Sequence, residues 1–256
     1  MIKNPSKLPL NRNSNDILKI LNEGMISSNS SQHLKKYILK NKIHLSSSKI
    51  DLKKFNNVFL IAVGKSAGSM SEYVSKKIKF KNGIIVVPKG ITPKLNKNTF
   101  EIINAGHPLP NYNSLKAGKK LVKFLEKTEK NDFVLFLISG GGSALSVYPN
   151  SISLHDKILV NEELIRSGAS INEISCIRKH LSLIKGGRLI QNMNCKGTSL
   201  LVSDVIGDDV GSISSGMTFY DKSTFADALK IIKKFSLQRK FPNTALTILK
   251  LSLIHI

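Results

Sequence analysis

Short apolar runs alternating with amphipathic stretches constrain this chain more than any other feature. The segments 58–63, 84–87, 100–103, 133–138 and 199–202 are rich in Val, Ile, Leu and Phe and read as strands. Helical spacing fills 66–78 and 114–127, two or three further helices fit between Leu154 and Gln191, and another spans 224–235. Strands that are apolar almost throughout belong to parallel sheets covered on both faces. Alternation with helices therefore predicts an α/β fold: a doubly wound, mostly parallel sheet with helices on both faces, in three Rossmann-like layers. Upstream, 16–25 and 31–39 show helix-like apolar spacing on either side of the cluster SSNSS.

In such a sheet ligands bind outside the carboxyl ends of the strands, so chemistry-bearing residues belong directly after them. Val63 is followed by GKSAG, Ile103 by NAGHPLP, Ile138 by SGGGS and Val202 by SDVIGDD. Gly140, Gly141 and Gly142, flanked by Ser139 and Ser143, have the backbone freedom to turn successive N–H groups toward an anion, a tight turn being the plain alternative. Gly64-Lys65-Ser66 imitates the end of a P-loop, but Phe59 stands where the first glycine of that motif belongs, so there is no Walker loop. Lys65 at the start of the next helix is placed either to meet an anionic group or to remain a solvated lysine. His107, ahead of Pro108 in a rigid turn, is read as positioning substrate oxygens or as capping its loop.

Residues 171–185 read as one helix, with Ile171, Ile174, Ile177, Leu181 and Ile184 on one face and Arg178, Ser182 and Lys185 on another. At about 100° per residue the two cations lie within roughly 20° of each other around the axis, as a phosphate clamp or a solvated face. Gly186 and Gly187 would end that helix. The formal charge is +22, and the first hundred residues carry only Asp16, Glu23, Asp51 and Glu72 as acids. Asp204, Asp208 and Asp209 stand out against that background, suited to holding Mg²⁺ near phosphates or to taking a proton from a substrate hydroxyl. Lysine, glycine loop, basic face and aspartate cluster together describe phosphoryl transfer.

The basic charge does not by itself indicate nucleic acid or a membrane. No run reaches five consecutive basic residues, and lysine is abundant alongside Asn and Ile, the drift of an AT-rich coding sequence. With 256 residues, 41% apolar and 22% charged, the composition is that of a globular chain. Cys176 and Cys195 form neither a disulfide framework nor a zinc spacing, and no signal peptide or apolar run of about 18 residues is present, so the expectation is a soluble cytoplasmic protein. A dinucleotide-dependent oxidoreductase is disfavoured, since no GxGxxG follows the first strand and no acid sits on a plausible ribose-binding strand end some 20 residues later.

VGKSAG, GHPLPNYNSLKAG, LISGGGSAL, INEISCIRKHLSLIKGGRL and LLVSDVIGDDVGSISSGMTFYDKSTFADAL, in that order, closely resemble the glycerate 2-kinases of the family that carries a MOFRL domain. The resemblance runs from about Asp16 to Phe235. It implies phosphorylation of D-glycerate to 2-phosphoglycerate with ATP and Mg²⁺, on a Rossmann-like N-terminal domain facing a smaller C-terminal one. It further implies that Lys65 is catalytic and that the loops from Ser139 to Ser143 and from Asp204 to Asp209 line the cleft. On this reading Gly64 and the glycine loop bind the nucleotide, and His107, Arg178 and Lys185 hold the substrate. Asp204 serves in catalysis, with Asp208 beside it for the metal. Family members are longer. The expected organisation is therefore a kinase N-terminal domain over 1–240 with a divergent tail at 241–256, a truncated form with impaired activity. It would expose an apolar interface that favours homo-oligomers, and a non-catalytic nucleotide- or phospho-ligand-binding fragment is the alternative.

Overall fold

The computed structural model describes residues 12–203 and 207–251. The chain opens with helix α1 (Arg12–Ser27) and one turn of helix, α2 (Ser30–His33). Strands β1 (Ile38–Leu39), β2 (Lys42–His44) and β3 (Lys49–Asp51) then form a small antiparallel sheet. The helix expected over 31–39 is thus cut short. Leu34 and Ile38 are spaced as on a helix, but Ile38 pairs with Ile43 and Ile43 with Ile50, and Asn41 turns the chain at φ 53°. Tertiary burial of Leu34, Ile38 and Ile43 overrides the local preference.

The five expected strands pair as one parallel sheet: β4 (Val58–Val63), β5 (Asn82–Pro88), β6 (Phe100–Ala105), β7 (Phe133–Ser139) and β8 (Lys196–Val202). Their order is β6-β5-β4-β7-β8. Every residue of β4 and β7 is buried, which is why these runs do not alternate with polar residues. Leu60, Ala62, Leu135 and Leu137 face one core with Met70 and Val74 of helix α3 (Ala67–Ser75). Phe59, Ile61, Val134 and Phe136 face the other, with Ala117, Leu121 and Leu125 of α4 (Tyr112–Leu125). The two faces are therefore covered from opposite sides, as expected of a doubly wound sheet. Leu60 is fully buried, and its replacement by Ala would cost about 2–5 kcal/mol.

After β7 the chain makes the single turn α5 (Gly142–Leu145), then α6 (Leu154–Arg166) and α7 (Ile171–His180). Beyond β8 come α8 (Phe225–Lys234) and α9 (Asn243–Leu251). These four longer helices share a third core through Val160, Leu164, Ile177, Ile232 and Leu249. Asn243–Leu251 lies where the sequence suggested a divergent tail, and its Ala245 and Leu249 are fully buried. The helix expected over 171–185 stops at His180. There the backbone is drawn into pairing with the loop before α6: Asn150 N–H donates to Leu181 O, and Leu183 N–H to Tyr148 O. Among the described residues no helix is long and apolar enough to cross a membrane.

Candidate active site

The winding of the sheet reverses between β4 and β7, the switch point where a crevice opens above a doubly wound sheet. Pairing of Val63 with Ile138 sets the GKSAG and SGGGS turns side by side at that point. Gly64, at φ 137°, passes so close to β7 that a Cβ there would lie 2.1 Å from Ser139 Oγ. The two turns are stitched together by Lys65 N–H donating to Gly140 O at 2.8 Å and Ser66 N–H donating to Ser139 Oγ at 3.0 Å. Ser214 Oγ donates to Ser139 O at 2.8 Å from the far side. Ser139 is almost wholly buried. Its hydroxyl therefore holds the scaffold, while Lys65 is exposed at the crevice.

Gly141 is the meeting point of three of the residues singled out in the sequence. At φ 87° it occupies the left-handed region, and a Cβ there would lie 2.9 Å from His107 Cδ2 and 3.1 Å from Lys65 Cγ. The missing side chain is what allows His107, arriving from the end of β6, to sit over the glycine loop next to Lys65. In the same loop Lys185 Nζ donates to Gly142 O at 3.0 Å. Ser143 Oγ and Ser215 Oγ lie 2.7 Å apart.

His107, Gly141, Ser143, Arg178 and Lys185 line one cavity of about 180 Å³. Arg178 and Lys185 reach it from different elements, the last turn of α7 and the loop beyond, and not from one helical face. Lys157, on α6, joins them and was not signalled by sequence motifs. Its spacing holds the one available clue. Lys157 stands three and seven positions before Val160 and Leu164, on the apolar face of its helix, where a solvated lysine does not belong. Lys185 is 3% exposed, and burial first, then the charges of Lys157 and Arg178, hold its pKa well below 10.5. Burial and the Arg178 charge bring Lys157 down to about 8. Arg178 is also lowered by burial, and its Nε is buried with no hydrogen-bond partner.

The acidic loop is less complete. Asp204 lies outside the described residues. Asp208 is exposed at φ 50°. Asp209 accepts hydrogen bonds from Ser212 Oγ and from Gly211 N–H, and the Ser212 bond is the main cause of its lowered pKa. Lys179 and Asp221 form a largely buried ion pair at 3.3 Å near this loop. Among the described residues no three His, Cys, Asp or Glu side chains gather as a metal site. With Asp209 engaged in its own turn, the described residues do not build a Mg²⁺ cradle.

A protein-family model described as a domain of unknown function, DUF4147, matches residues 16–250. A glycerate 2-kinase from Pyrococcus horikoshii is 38% identical over 188 residues, 73% of this chain and 42% of that protein. A putative hydroxypyruvate reductase from Agrobacterium vitis is 41% identical over 170 residues, 66% of this chain and 38% of that protein. The crystal structure of a glycerate kinase from Thermotoga maritima matches with a TM-score of 0.72 at 35% identity, covering 77% of this chain and 48% of the other. The chain thus spans less than half the length of each of these relatives.

Proposed function

The chain belongs to the DUF4147 family, and from that membership we propose that it forms the part of a glycerate 2-kinase that binds nucleotide and acceptor acid, transferring phosphate from ATP to D-glycerate. The likeness to glycerate kinases over about three quarters of the chain supports the reaction class. The observation that carries the assignment to this site is the convergence at Gly141, where Lys65 and His107 meet over the glycine loop, beside a cavity that His107 and Gly141 line together with Lys157, Arg178 and Lys185.

In this reading the loop from Gly140 to Ser143, with Gly64, receives the nucleotide phosphates. Lys65 stabilises the transferring phosphoryl group, whose charge in the transition state is spread over its outer oxygens. His107 holds the acceptor's oxygens, and Arg178 and Lys185 hold its charge. The O2 hydroxyl attacks in line, and Asp204 is proposed to take its proton. Mg²⁺ was expected on Asp204 and Asp208, and the described residues alone do not form its site. The protein is proposed to be cytoplasmic. The exposed apolar face of α1, with Ile17, Ile20, Leu21 and Met25, supports self-association into homo-oligomers.

Lys65→Met in a full-length enzyme containing this domain is expected to cut kcat by two or more orders of magnitude, with a much smaller change in KM for D-glycerate. Near-normal turnover would remove Lys65 from the mechanism. Phosphorus NMR of the product distinguishes 2-phosphoglycerate from the 3-isomer. A second reading is a phospho-ligand-binding fragment without turnover, which ADP binding with no product would support. The reductase suggested by the Agrobacterium name has no GxGxxG after β4 on which to place a dinucleotide.

A further inference from the structure

Lys185 is carried on the irregular backbone between His180, the last residue of α7, and Arg188. Its ammonium shares a cavity with Lys157 and Arg178, like charges that push it away. Helical hydrogen bonds do not fix this backbone, so other contacts have to. Gly186 N–H donates to Ser215 O and Gly187 N–H to Gly216 O, which anchors the turn after Lys185. The link back to α7 is made by one side chain: Arg188 Nη1 donates to Lys179 O at 2.7 Å and to Lys185 O at 3.3 Å. Lys179 O belongs to the last turn of α7, where carbonyls lack helical partners and a cation is favourable. The same nitrogen thus caps the helix that carries Arg178 and grips the residue that carries the buried ammonium.

Asp221 backs this clamp. Its Oδ1 accepts from Lys179 Nζ at 3.3 Å and from Ser223 N–H and Oγ at 3.2 and 2.8 Å. A Cβ on Gly186 would lie 2.9 Å from Asp221 Cβ, so Asp221 packs directly against the turn after Lys185. Burial lowers the pKa of Arg188, and the Asp221 charge works against that shift. Arg188 and Asp221 stand outside the residues that line the cavity, so whatever they contribute to it passes through Lys185 and Arg178.

We propose that Arg188 is a positioning residue, whose guanidinium, backed by Asp221, sets where Lys185 stands relative to Arg178. The inference rests on the kinase reading for the reaction in which that placement is felt.

Amide exchange read by mass spectrometry is measured on the chain itself, and steady-state kinetics on a full-length enzyme containing this domain. In Arg188→Met, exchange across 181–187 is expected to quicken about tenfold or more, with β4 and β7 unchanged. The same variant should raise KM for D-glycerate about tenfold and lower kcat less than about threefold. A residue needed only for stability would instead lower the active fraction, and with it kcat, at constant KM. Arg188→Lys keeps a charged donor of shorter reach, so its KM should recover about threefold toward wild type. Asp221→Asn removes the backing charge and should raise KM about threefold, which keeps the test decisive if Arg188→Met does not fold. Unchanged exchange, unchanged KM in folded Arg188→Met or Asp221→Asn, kcat lost at constant KM, or Arg188→Lys no better than Arg188→Met would overturn the proposal. A wild-type enzyme that does not phosphorylate D-glycerate sinks the kinase reading instead, and the exchange measurement then decides whether Arg188 holds the Lys185 segment.

Discussion

Gly141 and Lys157 show how single residues decide this site. Gly141→Ala must place a Cβ at φ 87° and 2.9 Å from the His107 ring, so His107 or Lys65 has to move. Circular dichroism should show a folded chain destabilised by about 1–3 kcal/mol, and calorimetry should show weakened ADP binding. Lys157 gives a pH dependence of determined sign. Its folded-state pKa, about 8, lies below the ordinary 10.5, so between those values the unfolded chain binds a proton that the folded chain has released. Stability contributed by this group therefore rises as pH climbs from about 8 to 10.5, and Lys157→Met should flatten that part of the melting profile. A bound carboxylate acts in the opposite sense by favouring the charged lysine, so D-glycerate affinity should fall as pH rises above about 8. Arg178, Lys185 and His107 face the same cavity, and the variant isolates the Lys157 contribution. Lys65, His107 and the glycine loop were legible in the sequence because they directly follow strands. Lys157 was not, because in a chain of net charge +22 its one clue, a place on the apolar face of its helix, gains meaning only once that helix is docked.

At the scale of elements, local chemistry was readable where it was self-contained. The helix starting at Ile171 carries its own signature, Ser170 and Glu173 forming a capping box. Ser170→Ala is expected to cost about 0.5–2 kcal/mol, lowering the melting temperature by a few degrees. Glu173 is held down to about 2, chiefly by its hydrogen bond from Lys234 and then by those at Ser170. Its contribution to stability is present above pH 4.5 and is lost as pH falls toward 2. The end of the same helix was misread because its apolar spacing continues to Ile184. The backbone beyond His180 instead pairs with the loop at Tyr148 and Asn150, a long-range contact that no local pattern encodes. The small sheet β1–β3 escaped for the same reason, its burial being supplied by the core it packs against.

For the whole molecule, the strand order β6-β5-β4-β7-β8 sets the switch point, and with it the crevice, between β4 and β7. The parallel sheet and its loaded strand ends could be read from alternation alone, since buried strands need continuous apolar runs. The helical core of α6 to α9 could not, although it brings Lys157 and Arg178 to the glycine loop and so completes the cavity. The most direct test of the site is an amide NMR titration of the isotopically labelled chain with ADP. Shifts concentrated at Gly64 to Ser66 and Gly140 to Ser143 are the predicted result. Shifts confined to the opposite ends of the strands, around Lys49 to Asp51, Lys196 and Gly197, would contradict it.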